Sequence, residues 1–81
     1  MTVTNEIDWT ECSIVQRDPQ KLHGAPNVNG LRIAPDTIAG NFEAGLDVAG
    51  IHEQFPGVPE SDIQTVLQFA AKRGYLSRPV R

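Results

Sequence analysis

The chain reads as a mainly α domain, a short N-terminal β-hairpin followed by a trihelical, helix-turn-helix-like core in the manner of a winged helix. Three observations predict this. A stretch punctuated by Gly and Pro, from Gly24 to Pro35, lies between β-rich runs. Apolar residues then recur at helical spacing in three short windows. Each window is closed by Gly or by Pro-Gly, so the helices are joined by tight turns. A ribbon beside a plain helical bundle satisfies the same pattern.

Residues 1–12 form an acidic arm in which Ile7 and Trp9 alternate with acids, and Trp9 is large enough to need a surface to pack on. Ser13-Ile14-Val15-Gln16-Arg17 is β-rich and stops at the turn pair Asp18-Pro19. His23-Gly24-Ala25-Pro26 reads as loop. Val28 and Leu31-Arg32-Ile33 read as the return strand, with Gly30 marking a bulge inside it. Pro35 suits a first helical position, and Asp36 suits the first turn. Ile38, Phe42 and Leu46 share one face of that helix, and Gly45 is placed to end it. Asp47 caps a second helix with Val48, Ile51 and Phe55 as its apolar stripe, and Pro56-Gly57 stops it. Ser61 with Gln64 reads as a capping box opening a third helix. Its stripe is Ile63, Val66, Leu67, Ala70 and Ala71, and Gly74 stops it. The organisation is thus an arm at 1–12, a hairpin and trihelical core at 13–74, and a tail at 75–81. The expected core is Ile38, Phe42, Val48, Ile51, Phe55, Ile63, Val66, Leu67 and Ala70.

With 81 residues the chain makes one small domain, and a modest core favours a dimer or a partner. Cys12 is the one cysteine, which excludes an intramolecular disulfide and suits a reducing compartment. No apolar run approaches a membrane span, and the acidic N-terminus lacks signal-peptide character. A cytoplasmic location is expected.

Net charge is −3, which disfavours a chain that holds nucleic acid unaided. The distribution is more informative. From Asp36 to Asp62 there are six acids (Asp36, Glu43, Asp47, Glu53, Glu60, Asp62) and no Lys or Arg. Beyond Asp62 stand Lys72, Arg73, Arg78 and Arg81 with no acid. One reading is an ordinary solvated surface. The sharper one is an acidic face that meets a basic partner.

Catalysis finds no support. His23, His52 and Cys12 lie far apart in sequence, and no metal-ligand spacing occurs. No catalytic, cofactor or metal residue is expected, nor a small-molecule substrate. DNA binding through the third helix is disfavoured because Glu60 and Asp62 at its N-terminus repel phosphates. The better DNA footprint is Arg17, Lys21 and Arg32 on the hairpin, doubled in a homodimer.

The order of these features resembles the bacterial family known as domain of unknown function 433. The resemblance covers residues 17–73 and rests on Gly24, Pro26, Gly30, Arg32, Ile33, Ala44, Gly45, Phe55, Pro56, Asp62 and Ile63. Leu31 stands where the family usually has Thr, so a hydroxyl hydrogen bond is absent there. Pro59 stands near the usual Thr cap, a role that falls to Ser61. The resemblance implies an antitoxin of a type II pair, a VapB-type partner that binds and silences a PIN-like ribonuclease toxin. It also implies repression of its own operon, with operator DNA bound by the complex. PIN nucleases hold Mg²⁺ in a carboxylate cluster, which an arginine could enter. Tyr75, Leu76, Arg78 and Arg81 are the expected toxin-binding residues, the first two as apolar anchors. The alternative is a stand-alone helix-turn-helix-like transcriptional regulator.

Overall fold

A computed structural model describes residues 8–80. The chain runs through a 3-10 turn at Trp9–Glu11, strands β1 (Val15–Asp18) and β2 (Lys21–Val28), and helices α1 (Pro35–Glu43), α2 (Val48–Gln54) and α3 (Glu60–Lys72). The two strands form an antiparallel ribbon. Helix α3 packs on both α1 and α2, and α1 packs on β2.

The mainly α expectation, a helix-turn-helix-like core with an appended wing, does not hold. The chain is mixed α and β. Strand β2 has 8 residues, against 9 in α1 and 7 in α2. The ribbon is also part of the core. Val15 and Val28 are buried in one cluster with Ile38, Ala39, Phe42, Ile51, Val58, Ile63, Val66, Leu67 and Ala70. One hydrophobic cluster spans ribbon and helices, so the two pack as layers around a single core.

The hairpin differs in register from the expected one. Val15 faces Val28, Gln16 faces Asn27 and Arg17 faces Pro26, and then Asp18 faces Lys21. Residues 22–25 have no Cα partner in β1 and form a bulge. The residues expected to be loop are therefore the bulged part of a strand. Pro26 is tolerated because every strand of a two-stranded ribbon is an edge. The expected return strand at 31–33 is a turn instead. Asn29 (φ 51°) and Gly30 (φ 81°) enter the left-handed region and end the ladder. Asn27 Oδ1 accepts from Gly30 N at 2.7 Å, and Val28 N donates to the Ile33 carbonyl at 2.9 Å.

The helix boundaries follow capping chemistry. Pro35 opens α1, and Gly45 (φ 116°) lets the chain reverse after it. Asp47 Oδ1 accepts from Gly50 N at 2.8 Å and caps α2. The capping box expected at Ser61 is not formed. The N-cap of helix α3 lies two residues earlier, at Pro59, with no side-chain cap, and Glu60 and Asp62 lie in its first turn. There their charges oppose the positive end of the helix dipole. The Ser61 carbonyl instead accepts from Thr65 Oγ1 at 2.9 Å. Of the expected core, Val48 and Phe55 are only partly buried. Val58, in the α2–α3 turn, is fully buried in their stead. His52 Nδ1 donates to its carbonyl at 2.7 Å and ties α2 to that turn.

Candidate functional site

The tail was expected to reach outward, and it lies on α1. Arg78 Nε donates to the Phe42 carbonyl at 2.8 Å, and a terminal guanidinium nitrogen donates to the Leu46 carbonyl at 2.9 Å. The guanidinium carbon lies 4.1 Å from the Phe42 ring centroid. The last carbonyls of a helix lack intrahelical partners and carry partial negative charge. A cation with fixed donors answers both, so Arg78 closes the C-terminal end of α1. Beside it, the Ser77 backbone N–H donates to Glu43 Oε2 at 2.9 Å and its hydroxyl donates to Oε1. These bonds, the hydroxyl's first, hold the Glu43 carboxyl below its ordinary pKa.

Tyr75 and Leu76 are half-buried against the chain's own core. The Tyr75 hydroxyl donates to Asp36 Oδ1 at 2.7 Å, and Trp9 Nε1 donates to the same oxygen at 3.1 Å. Trp9 is buried, edge-on to Tyr75 at 5.6 Å between ring centroids. Arg73 pairs with Glu11 at 2.5 Å. Residues before β1 and after α3 are thus locked together over the first turn of α1. Arg81 lies outside the described residues, as do residues 1–7 of the arm.

The three cations expected to contact DNA are not gathered into one patch. Arg17 Nε donates to the Gly24 carbonyl at 2.8 Å and pins the bulge of β2. Lys21 pairs with Asp18 at 3.8 Å beside the hairpin turn. Arg32 is exposed on the turn that follows β2, at the opposite end of that strand from Lys21.

The acids of the helical region behave differently. None of the six is in an ion pair among the described residues, where the two ion pairs are Lys21–Asp18 and Arg73–Glu11. Asp36 and Glu43 receive neutral donors from Trp9, Tyr75 and Ser77, and Asp62 receives one from Asn29 at 3.2 Å. Asp47 caps α2, while Glu53 and Glu60 are exposed. Asp47 and Glu60 line an open groove of about 560 Å³ where α1 ends and α2 and α3 begin. Its apolar lining is Phe42, Val48, Ala49 and Pro79, and Arg78 and Gln64 complete the wall.

The sequence reading noticed Asp47 and Glu60 singly but did not join them to one groove. It also missed Glu43 and Asp36 as anchors of the tail. The available signal was the tail's own composition, since Tyr75, Leu76 and Val80 are too apolar for a segment held in water. Among the described residues no cluster of His, Cys, Asp and Glu could hold a metal ion. Nor is any helix there long and apolar enough to cross a membrane.

The turn at 29–33, the Ala44-Gly45 helix end and the Phe55-Pro56 turn all fall in a segment that a known family covers. The family described as protein of unknown function, DUF433, matches residues 15–70. The chain belongs to this family. No curated protein and no solved structure matches it. The matched DUF433 segment contains the ribbon, α1, α2 and most of α3, and leaves out the tail that closes α1.

Proposed function

We propose that the chain is an antitoxin of a type II toxin–antitoxin pair that binds and neutralises a PIN-like ribonuclease. The observation that carries this reading is the acidic stretch of the helical region: six acids from Asp36 to Asp62 with no Lys or Arg between them in sequence, none in an ion pair among the described residues. A domain with free choice of surface charge intersperses both signs. A ribonuclease must hold a polyanion, so its substrate groove is basic, and an acidic face competes for that groove.

The mechanism differs from the one the tail's charge suggested. Arg78 is engaged with the carbonyls of Phe42 and Leu46 and is not free to enter a carboxylate cluster without uncapping α1. Neutralisation therefore rests on covering the RNA groove with the acidic helices. Homodimer formation through the open edges of the two-stranded ribbon belongs to the same proposal. So does repression of the operon by the complex, with Arg32 of each copy contributing to a DNA contact that the free chain makes weakly.

The test is RNA cleavage by the ribonuclease encoded beside this chain, measured with increasing antitoxin. Wild type should silence cleavage stoichiometrically. The charge-neutral variant Asp47→Asn/Glu53→Gln/Glu60→Gln should do so at least about tenfold less well, with the difference shrinking as salt rises. Full cleavage in the presence of excess wild-type chain would remove the proposal.

A further inference from the structure

The groove between the end of α1 and the starts of α2 and α3 combines two features that seldom meet on an idle surface. Its floor is apolar, with the half-buried Val48 and exposed Ala49 beside the Phe42 ring. Its rim carries two carboxylates, Asp47 and Glu60, that form no ion pair among the described residues. One oxygen of Asp47 is held by the Gly50 N–H, and the other has no hydrogen-bond partner among the described residues. The Glu60 side chain makes neither a hydrogen bond nor an ion pair there. Arg78 also lines the groove; two of its five N–H donors go to the carbonyls of Phe42 and Leu46 and its plane stacks on Phe42. Its charge answers the negative end of α1 and does not pair with either acid.

The occupant follows from these surfaces. An anionic ligand meets two carboxylates. A small neutral metabolite finds an open groove with no buried polar side chain to orient it. A volume of about 560 Å³ accommodates a few residues of extended chain. Building on the antitoxin reading, we infer that this groove receives a short extended segment of the ribonuclease in which an arginine or lysine neighbours an aliphatic residue. The aliphatic side chain packs on Val48 and Ala49. The cation lies toward Asp47 and Glu60, where an arginine's planar fork matches a carboxylate. Docking of this kind gives the acidic face a fixed register on its partner, which long-range charge attraction alone does not.

The experiment titrates the ¹⁵N-labelled full chain with a capped Leu-Arg-Arg-Leu peptide and, separately, with capped Leu-Glu-Glu-Leu. The basic peptide should shift the amides of Val48, Ala49 and Gln64 saturably, and the acidic one should not. The Asp47→Asn/Glu60→Gln variant should bind the basic peptide about tenfold more weakly. It should remain folded, because Asn caps a helix about as well as Asp and the exposed Glu60 side chain makes no bond among the described residues. Shifts centred elsewhere, equal binding of both peptides, or undiminished binding by the variant each overturn the inference. Capture of the ribonuclease is measured in parallel. Peptide binding in the groove without any capture overturns the antitoxin reading and keeps the groove as a basic-peptide site. Capture that the double substitution leaves unchanged overturns the groove and keeps the antitoxin reading.

Discussion

The C-terminal tail and the α2–α3 corner carry opposite charges, and they use them in opposite ways. In the tail, the described ionic and polar groups turn inward: Arg78 onto the end of α1, Ser77 onto Glu43, Tyr75 onto Asp36. At the corner, Asp47 spends one oxygen on a cap, and Glu53 and Glu60 face solvent. A linear charge map gives both regions the same standing as binding surfaces. The structure separates them, because a charge already satisfied at close range has little left to offer a partner. The described part of the basic end is internal architecture, as are Asp36 and Glu43 that receive it, and the acids of the α2–α3 corner are the available surface.

The corner includes the start of α3, and the tail lies on α1, which packs on α3, so the largest effect comes from removing that common support. Leu67 is fully buried in the cluster shared by ribbon and helices. Leu67→Ala should cost about 2–5 kcal/mol and loosen tail and corner together. A thermal unfolding curve matching wild type would show that the two regions do not share a core.

A cut confined to the tail comes next. Arg78→Ala removes two charge-assisted hydrogen bonds and a stacked ring, and should cost about 1–3 kcal/mol in urea unfolding. Arg78→Lys should recover only part of this, since an ammonium cannot reproduce the fork. An Arg78→Ala protein as stable as wild type would mean the tail is not the closure of α1.

At the corner, Asp47→Ala removes the cap of α2 and should cost about 0.5–2 kcal/mol, whereas Asp47→Asn should be near neutral. Equal losses in both variants would point to the charge and not the cap as the stabilising feature.

Acid should dissect the tail without a mutation. The Glu43 carboxyl is held low in the folded chain, chiefly by the Ser77 hydroxyl. A carboxylate with a depressed folded pKa stabilises above its unfolded value, and that stabilisation is lost as pH falls through the folded one. The Ser77 amide resonance should therefore move with a midpoint below the ordinary glutamate range, and Glu43→Gln should abolish the transition. A midpoint at the ordinary value would detach the tail from Glu43.

The smallest effect is the one that defines the acidic surface. Glu53→Gln should leave stability within about 0.5 kcal/mol, because the side chain is exposed and makes no bond among the described residues. A clear loss of stability on that change would make the helical acids structural and erase the contrast with the tail.

Much of the helical half was legible because its signals are local. Pro35, Gly45, Asp47 and Gly74 act within a turn of where they stand, through fixed φ, access to the left-handed region, or a side-chain oxygen three residues from an amide. The hydrophobic stripes of α1 and α3 likewise declare their inward faces through periodicity alone. The hairpin was less legible. Whether Gly30 breaks a strand or bulges within it depends on its neighbours' hydrogen bonds, and Asn27 Oδ1 with Ile33 O settled it as a turn.

Composition and order along the chain were enough to fix three helices, the Asp47 cap of the second, the family, and a surplus of acid between Asp36 and Asp62. They were not enough to rank the charges. That ranking needs contacts between residues far apart in sequence: Arg78 with Phe42 and Leu46, Tyr75 with Asp36, Arg73 with Glu11. Such pairs carry no periodicity and no spacing rule, since their geometry exists only once the helices have packed. For the same reason the class changed from mainly α to mixed. Val15 and Val28 look like any apolar strand residues until the shared core brings them against the helices.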